Sequence, residues 1–201
     1  KYAKTDEGTS IYADALCADG SSMVTEFIYW SDYYNSIISP FYSYSTGRTK
    51  ETLRSSQVTC RDIDDDGYIE IPEDTSSKKQ SSEITSQNWV NYGNTVLSHK
   101  CYSFSCKRDG YILVIDDDDF SKVKANYDSE SRKLTIINKK NKSNVFEIVT
   151  LINSNYSVND PKYKDYTMIM KNSGFVYLAK VNKSSDIDIN IQTLKDMIKV
   201  Y

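Results

Sequence analysis

Residues 62–73 read DIDDDGYIEIPE, an acidic stretch with one glycine from which the organisation of the chain can be worked out. Its carboxylates stand at the first, third and fifth positions, and they can converge on one ion only where the backbone loops around it. Gly67, at the sixth position, supplies the positive φ that such a sharp turn requires. Hard oxygen ligands in this number suit Ca²⁺ better than Zn²⁺ or Cu²⁺. The stretch therefore predicts a calcium-binding loop.

The residues on either side indicate which kind of calcium loop it is. Upstream, residues 56–60 (SQVTC) alternate like a strand, and downstream Pro72 obstructs the first turn of an exiting helix. A loop between strands is therefore favoured over an EF-hand, in which Glu73 would be the ligand at the twelfth position. The metal ligands predicted for the loop are the side chains of Asp62, Asp64, Asp66 and Glu70 and the carbonyl of Tyr68. The alternative is an acidic turn without a metal, but the seven acids from Asp62 to Asp74, beside the single Arg61, repel one another strongly.

The composition is that of a globular chain with a core. The 201 residues are 39% hydrophobic and 26% charged, which fits one large or two small domains. The formal net charge is −3 and the lysines are scattered, so no basic stripe predicts nucleic-acid binding. No apolar run is long enough to predict a transmembrane helix, and no signal peptide is present. Because the chain starts at Lys1 without Met, we interpret it as a processed or truncated piece of a longer protein.

The four cysteines leave their pairing open. Cys17, Cys60, Cys101 and Cys106 allow three sets of disulfides, and the sequence does not choose among them. An even number is compatible with an exported protein, and free buried thiols are the alternative. The spacing does not suit a zinc site, since no Cys-x-x-Cys is present and His99 is the only histidine.

A weak internal repeat organises the first half of the chain. Residues 30–39 (WSDYYNSIIS) can be laid over residues 89–98 (WVNYGNTVLS), and both copies read as a strand that ends in Trp, a polar turn and a second strand. A hairpin unit of this kind, introduced by an Asp-rich loop, resembles a β-propeller blade. We therefore predict a β repeat region of two blade-like units over residues 1–107. Chance similarity between two Tyr- and Asn-rich hairpins is the alternative.

The second half, residues 108–201, has the pattern of an α+β domain. Apolar runs predict strands over residues 111–115, 133–138, 144–152, 166–171 and 175–181, and the acids at 116–119 suit a single helical turn. Near the end of the chain the spacing of apolar residues becomes helical and predicts a C-terminal helix with Ser185 as its N-cap. The apolar face of this helix consists of Ile187, Ile191, Leu194, Ile198 and Tyr201. The predicted fold class is mainly β, with hairpin repeats followed by an antiparallel sheet packed against a C-terminal helix.

Several motifs, taken in order, resemble a known family. Residues 62–72 resemble the Asp-Ile-Asn-x-Asp-Gly-x-x-Glu-Ile-Pro element of uncharacterised lipoproteins that Firmicutes export, which carry FG-GAP/VCBS-like β-propeller repeats. Residues 88–92 (NWVNY) are similar to the strand that follows it, and residues 109–116 (DGYILVID) are similar to a Gly-Tyr-x-Phe-x-Ile-Pro-Asp motif. The resemblance implies an extracellular, cell-surface protein of which this chain is the C-terminal portion. It also implies that the only membrane attachment is a lipid anchor upstream of Lys1.

These observations favour a non-catalytic extracytoplasmic module with a structural calcium loop, whose partner is an unknown surface protein, extracellular protein or glycan. A carbohydrate-binding module would need Trp30 and Trp89 exposed on one face, whereas their matching positions in the repeat predict that both lie in the core. A hydrolase of cell-wall or other polysaccharides is a further alternative. His99 is the only histidine, no Gly-x-Ser-x-Gly is present, and the consecutive acids at 116–119 would splay around a turn.

Overall fold

The computed structural model describes residues 1–5, 8–75, 83–93, 95–157, 160–182 and 187–201. These residues form a mainly β structure with antiparallel sheets and a C-terminal helix, which confirms the predicted fold at this level. The chain divides into two compact units. The first comprises Lys1–Ser76 and Ser86–Tyr102, and the second comprises Ser77–Thr85 and Ser103–Tyr201. Within the described ranges, the strands form no closed barrel or propeller.

The first unit is built from antiparallel hairpins. Its larger sheet has the order β1-β2-β3-β4, with β1 (Tyr2–Thr5), β2 (Gly8–Leu16), β3 (Met23–Ser31) and β4 (Ser36–Ile38). A two-stranded ribbon follows, made of β5 (Tyr42–Ser43) and β6 (Arg48–Thr49). After the acidic stretch come β7 (Ile71–Asp74), β8 (Ile84–Gly93) and β9 (Val96–Cys106), in which β8 lies between β7 and β9.

An aromatic core fills the first unit and lies directly behind the acidic loop. Along β3 the buried Phe27 and Tyr29 alternate with half-exposed neighbours, as expected for a strand with one face on a core. The Phe27 ring lies 4.8 Å, between centroids, from each of the rings of Tyr12 and Tyr92. Ile69 and Ile71 belong to the same core. Because they flank Glu70 in the chain, the core holds the end of the acidic loop in place.

The second unit combines one large sheet, the two further strands β10 and β16, the short helix α1 and the C-terminal helix. The sheet has the order β11-β12-β13-β15-β14, and β10 lies between β9 and β16. The elements are β10 (Tyr111–Ile115), α1 (Asp117–Phe120), β11 (Val123–Asp128), β12 (Lys133–Asn138), β13 (Asn144–Ile152), β14 (Thr167–Lys171), β15 (Phe175–Val181), α2 (Ile191–Met197) and β16 (Ile198–Val200). Helix α2 lies against β14 and β15, and its Leu194 is buried in the core of this unit.

A buried acid organises the turn between β9 and β10. Asp109 has no exposed surface, and its carboxylate accepts hydrogen bonds from Arg132 Nε at 2.7 Å and from the Tyr127 hydroxyl at 2.9 Å. The Tyr177 hydroxyl donates to the Asp109 carbonyl at 2.8 Å. Side chains of β11, β15 and the turn after β11 therefore converge on this one residue, which the sequence analysis did not single out.

The C-terminal helix is shorter than the apolar spacing predicts. Helix α2 covers only Ile191–Met197, and Asn190 is its N-cap, since its side chain accepts a hydrogen bond from Thr193 N at 3.0 Å. The predicted cap, Ser185, lies outside the described residues. Residues 198–200 pair with β10 instead of continuing the helix. The prediction of a helix as far as Tyr201 is therefore wrong, because a free sheet edge gives β-branched residues a better partner than a last helical turn does.

The two tryptophans occupy different environments. Trp89 has no exposed surface, as predicted, but Trp30 is 50% exposed, so its predicted core position is wrong. Side chains alternate between the two faces of a strand, and the inward-facing Phe27 and Tyr29 place Trp30 on the solvent side. The Trp30 indole N–H donates to Asp32 Oδ1 at 2.9 Å. The hairpins β3–β4 and β8–β9 thus do not use their aligned tryptophans in the same way.

Candidate metal centre

The acidic stretch forms a closed loop between extended segments. Arg61 and Glu70 pair as an antiparallel bridge, with Arg61 N donating to Glu70 O at 3.0 Å and Glu70 N donating to Arg61 O at 2.8 Å. The backbone turns back on itself at Asp65 and Gly67, whose φ angles are +64° and +92°. The chain then continues as strand β7, and no helix adjoins the loop in the described stretch 8–75. The predicted strand at residues 56–60 is not formed, so the loop is closed upstream only by the isolated Arg61–Glu70 bridge and is followed by β7. The absence of adjoining helices in this described stretch is not the arrangement of an EF-hand.

Two aspartates hold the loop through bonds to its own backbone. The Asp62 carboxylate accepts from Asp66 N at 3.0 Å and from Gly67 N at 2.8 Å. Asp66 Oδ1 accepts from Tyr68 N at 2.9 Å. Aspartate commonly stabilises turns in this way, because its short side chain reaches the amides that follow it. The protein's own hydrogen bonds therefore shape the loop and point its carboxylates inward.

Three carboxylates converge inside the loop. Asp62, Asp64 and Glu70 each offer an oxygen, and these oxygens all lie within 4.8 Å of one another. Calcium ligands lie 2.3–2.6 Å from the ion, so oxygens on opposite sides of one ion are about 5 Å apart. The three carboxylates thus already have the spacing of a coordination shell. They are three of the five ligands predicted from the sequence.

Glu70 is the most unusual member of the cluster. Its side chain is fully buried, Oε2 accepts a hydrogen bond from Ile63 N at 3.0 Å, and Oε1 is buried with no hydrogen-bond partner among the residues that the structure describes. Burial raises the pKa of Glu70 to about 7, and the charges of the neighbouring aspartates act in the same direction. The hydrogen bond from Ile63 N lowers this pKa and offsets only part of the rise. A buried carboxylate oxygen without a partner is costly unless it gains a proton or a cation. Either a proton or a cation would therefore stabilise this oxygen.

Asp66 and Asp64 share an ion-pair partner in Lys100. Asp66 Oδ2 contacts Lys100 Nζ, and the same ammonium lies 3.2 Å from Asp64 Oδ2. The hydrogen bond from Lys100 lowers the pKa of Asp66, and the two aspartates raise the pKa of Lys100 above its ordinary value. No local pattern in the sequence marks Lys100, because strand β9 brings it to the loop from a distant part of the chain.

The remaining predicted ligands are Tyr68 and Glu73. Tyr68 donates its backbone N–H to Asp66, its side chain is exposed, and its carbonyl stays a predicted ligand. Glu73, the ligand of the EF-hand alternative, lies on β7, where its Oε2 accepts a hydrogen bond from Asn88 Nδ2 at 2.9 Å. Glu73 is not part of the carboxylate cluster found among the described residues.

Other reactive groups have local roles. His99 is exposed, contacts Asn88 Oδ1 and stacks against Tyr102 with 4.5 Å between ring centroids. Asp116 is the residue before α1 and Asp117–Asp119 lie in that single helical turn, as predicted. Cys17, Cys60, Cys101 and Cys106 are not joined in disulfides. Burial and the Asp14 carboxylate beside it raise the pKa of the Cys60 thiol to about 12, so this thiol is not a nucleophile at neutral pH.

Comparison with protein-family models, with curated proteins and with solved structures finds no match to this chain. In the described part of the chain, no helix has the length and apolar character needed to cross a membrane. The acidic loop and the exposed aromatic side chains of the first unit are the features that bear on function.

Proposed function

We propose that the loop at residues 62–70 binds Ca²⁺ and that the bound ion has a structural role. The observation that carries the proposal is the buried, unpartnered Oε1 of Glu70, which faces two further carboxylates. Asp62, Asp64 and Glu70 are the side-chain ligands, and Asp66 and the Tyr68 carbonyl complete the shell. Ca²⁺ accepts six to eight oxygen ligands in a flexible geometry, and water supplies the rest.

The position of the loop explains what a bound ion would stabilise. Ile63 is fully buried between two of the ligands, and Ile69 lies in the aromatic core next to Glu70. An ion that joins Asp62 and Asp64 to Glu70 ties both ends of the loop to this core. Because ions bind the folded loop and not the unfolded chain, a millimolar external concentration of Ca²⁺ stabilises the first unit by mass action even at modest affinity.

The wider role that we propose is a non-catalytic, extracytoplasmic module of a cell-surface lipoprotein. The motif order from the acidic loop to β10 and the hairpins β3–β4 and β8–β9 support a relation to blade-like β repeats. In this proposal the second unit presents a surface to an extracellular protein or glycan, and the calcium loop keeps the first unit folded.

Calorimetry with two matched variants tests the metal site. We expect isothermal titration of the chelator-treated protein to show Ca²⁺ binding by the wild type and an affinity lower by about a hundredfold or more in Glu70→Gln, because the amide removes the innermost charge. Glu73→Gln makes the same chemical change three residues away, where the side chain bonds to Asn88, and it should bind Ca²⁺ like the wild type. A wild type that does not bind millimolar Ca²⁺ would contradict the proposal.

Glycan binding is a second candidate function, and one observation favours it. Trp30, Tyr33 and Tyr34 are 50%, 89% and 67% exposed on the same hairpin. Exposed aromatic rings stack on the apolar faces of sugars, although the Tyr33 and Tyr34 rings meet edge to face at 88° and do not form a flat platform.

Tryptophan fluorescence tests this candidate, because Trp30 is exposed and Trp89 is buried. Titration with N-acetylglucosamine oligosaccharides should blue-shift the emission of the wild type as the Trp30 indole leaves water. The shift should be lost in Trp30→Ala and retained in Tyr44→Ala, which removes an exposed ring elsewhere in the first unit. An emission spectrum that does not change with the sugar would eliminate Trp30 as a platform for this glycan class.

A further inference from the structure

Lys100 places a positive charge on the outer side of the metal loop. Its side chain is only 30% exposed, and its Nζ lies 3.2 Å from Asp64 Oδ2 and also contacts Asp66 Oδ2. Asp64 is at the same time one of the three carboxylates that converge with Glu70. Asp64 is therefore shared between the Lys100 ammonium and the proposed ion.

The ammonium balances only part of the negative charge. Asp62, Asp64, Asp66 and Glu70 together carry four carboxylates within the loop, against the single charge of Lys100. In the described part of the chain the buried Oε1 of Glu70 has no hydrogen-bond partner, so the lysine does not reach the innermost ligand. Lys100 thus stabilises the outer carboxylates, Asp64 and Asp66, and leaves the inner one, Glu70, without its charge.

We infer that Lys100 is a built-in competitor that sets the affinity of the calcium site, an inference that rests on the proposed function. Without Ca²⁺, the ammonium holds Asp64 and Asp66 in place and limits their repulsion. When Ca²⁺ binds, these carboxylates turn towards the ion and give up the lysine, and the ammonium also repels the divalent ion from a few ångströms away. The lysine therefore keeps the loop formed without metal and weakens the binding of the metal.

Neutralising this lysine should raise the affinity. The charges of Ca²⁺ and of the Lys100 ammonium, about 5 Å apart, repel each other even at the dielectric constant of water. This repulsion energy corresponds to roughly a tenfold or greater change in the dissociation constant. We expect titration calorimetry to give a Ca²⁺ dissociation constant at least about tenfold lower for Lys100→Met than for the wild type. Lys100→Arg, which keeps the charge, should remain close to the wild type. The melting temperature of the metal-free Lys100→Met protein should fall, because the aspartates lose their counter-ion.

Two further variants make the test specific. Lys122→Met removes another lysine that pairs with an aspartate, Asp119 at 3.1 Å in the second unit, and it should not change the Ca²⁺ affinity. Lys100→Gln repeats the neutralisation with a polar side chain, and circular dichroism establishes that each variant is folded before the titration. Higher affinity in both neutral variants at position 100, with Lys100→Arg and Lys122→Met unchanged, supports the inference.

The failure of the inference can be distinguished from the failure of the proposed function. Wild-type binding combined with equal or weaker binding by Lys100→Met and Lys100→Gln overturns the role of Lys100 and leaves the calcium site intact. If none of the variants binds Ca²⁺, the site itself is refuted, and the inference with it. If only the neutral variants bind, the lysine takes the place of the ion in the wild type, which supports the competition and overturns the calcium function of the natural chain.

Discussion

In the absence of metal, the wild-type protein should lose about 3 kcal/mol of its free energy of unfolding as the pH rises from below 4.5 to above 7 through the titration of Glu70. The pKa of Glu70 is raised from an ordinary 4.5 to about 7, so the folded state binds a proton that the unfolded state releases. Its stabilising contribution is complete below the unfolded pKa and is lost as the pH rises through the folded pKa. Urea unfolding in excess EDTA across this range measures the change.

Glu70→Gln isolates this effect from the other carboxylates. The pKa values of Asp14 and Asp74 are lowered, so these groups favour folding above their unfolded pKa and oppose it in acid. The difference between wild type and Glu70→Gln removes their contribution. At pH 8 in EDTA the variant should be the more stable protein, because a neutral amide does not incur the cost of a buried charge. Saturating Ca²⁺ should reverse the order by stabilising the wild type alone. Parallel pH profiles for the two proteins would contradict the assigned burial of Glu70.

Breaking the buried acid of the second unit should have the other large effect. Asp109 is fully buried, and Arg132 and Tyr127 donate hydrogen bonds to its carboxylate. We expect Asp109→Asn to lower the free energy of unfolding by about 3–5 kcal/mol, since it leaves a guanidinium without its counter-charge in a mostly buried position. Urea unfolding followed by circular dichroism measures this loss.

The matched control is an exposed pair in the same unit. Asp165 lies 3.4 Å from Lys180, with both side chains about half exposed, and Asp165→Asn should change the stability by less than about 1 kcal/mol. Hydrogen exchange adds a readout for each unit: protection of β12 and β13 should fall in Asp109→Asn, while β2 and β3 keep theirs. Equal urea midpoints for Asp109→Asn and the wild type would show that this network contributes little.

Local patterns were sufficient to predict much of the fold. Apolar runs predicted strands at 111–115, 133–138, 144–152 and 175–181, and the structure has strands with these bounds. The acidic turn at 116–119 and the strand after the acidic loop were likewise predicted from neighbouring residues, whereas the strand predicted before it at residues 56–60 is not formed. In each case the hydrophobic periodicity or the turn residue that determines the element lies within a few residues of it, so the prediction does not depend on distant strands.

The errors have non-local causes. The C-terminal helix was predicted too long because the pairing of residues 198–200 with β10 depends on a strand far away in the sequence. The exposure of Trp30 depends on which face of β3 meets the core, and a shift of one residue reverses that face. Lys100 was missed because only the arrangement of β7, β8 and β9 brings it to the loop. The free cysteines could not be distinguished from paired ones by spacing.

The closeness of the proposed ligands in sequence has a consequence for the timing of folding. All of them fall within the loop at residues 62–70, and a segment of about this length closes in tens of nanoseconds. An ion can therefore be captured weakly before any distant strands pair. Full affinity requires Glu70 to be enclosed by Ile69 and Ile71, which happens only when the aromatic core is complete. Since the strongest contact forms last, Ca²⁺ should slow unfolding more than it speeds folding, and so lengthen the lifetime of the native state against proteases.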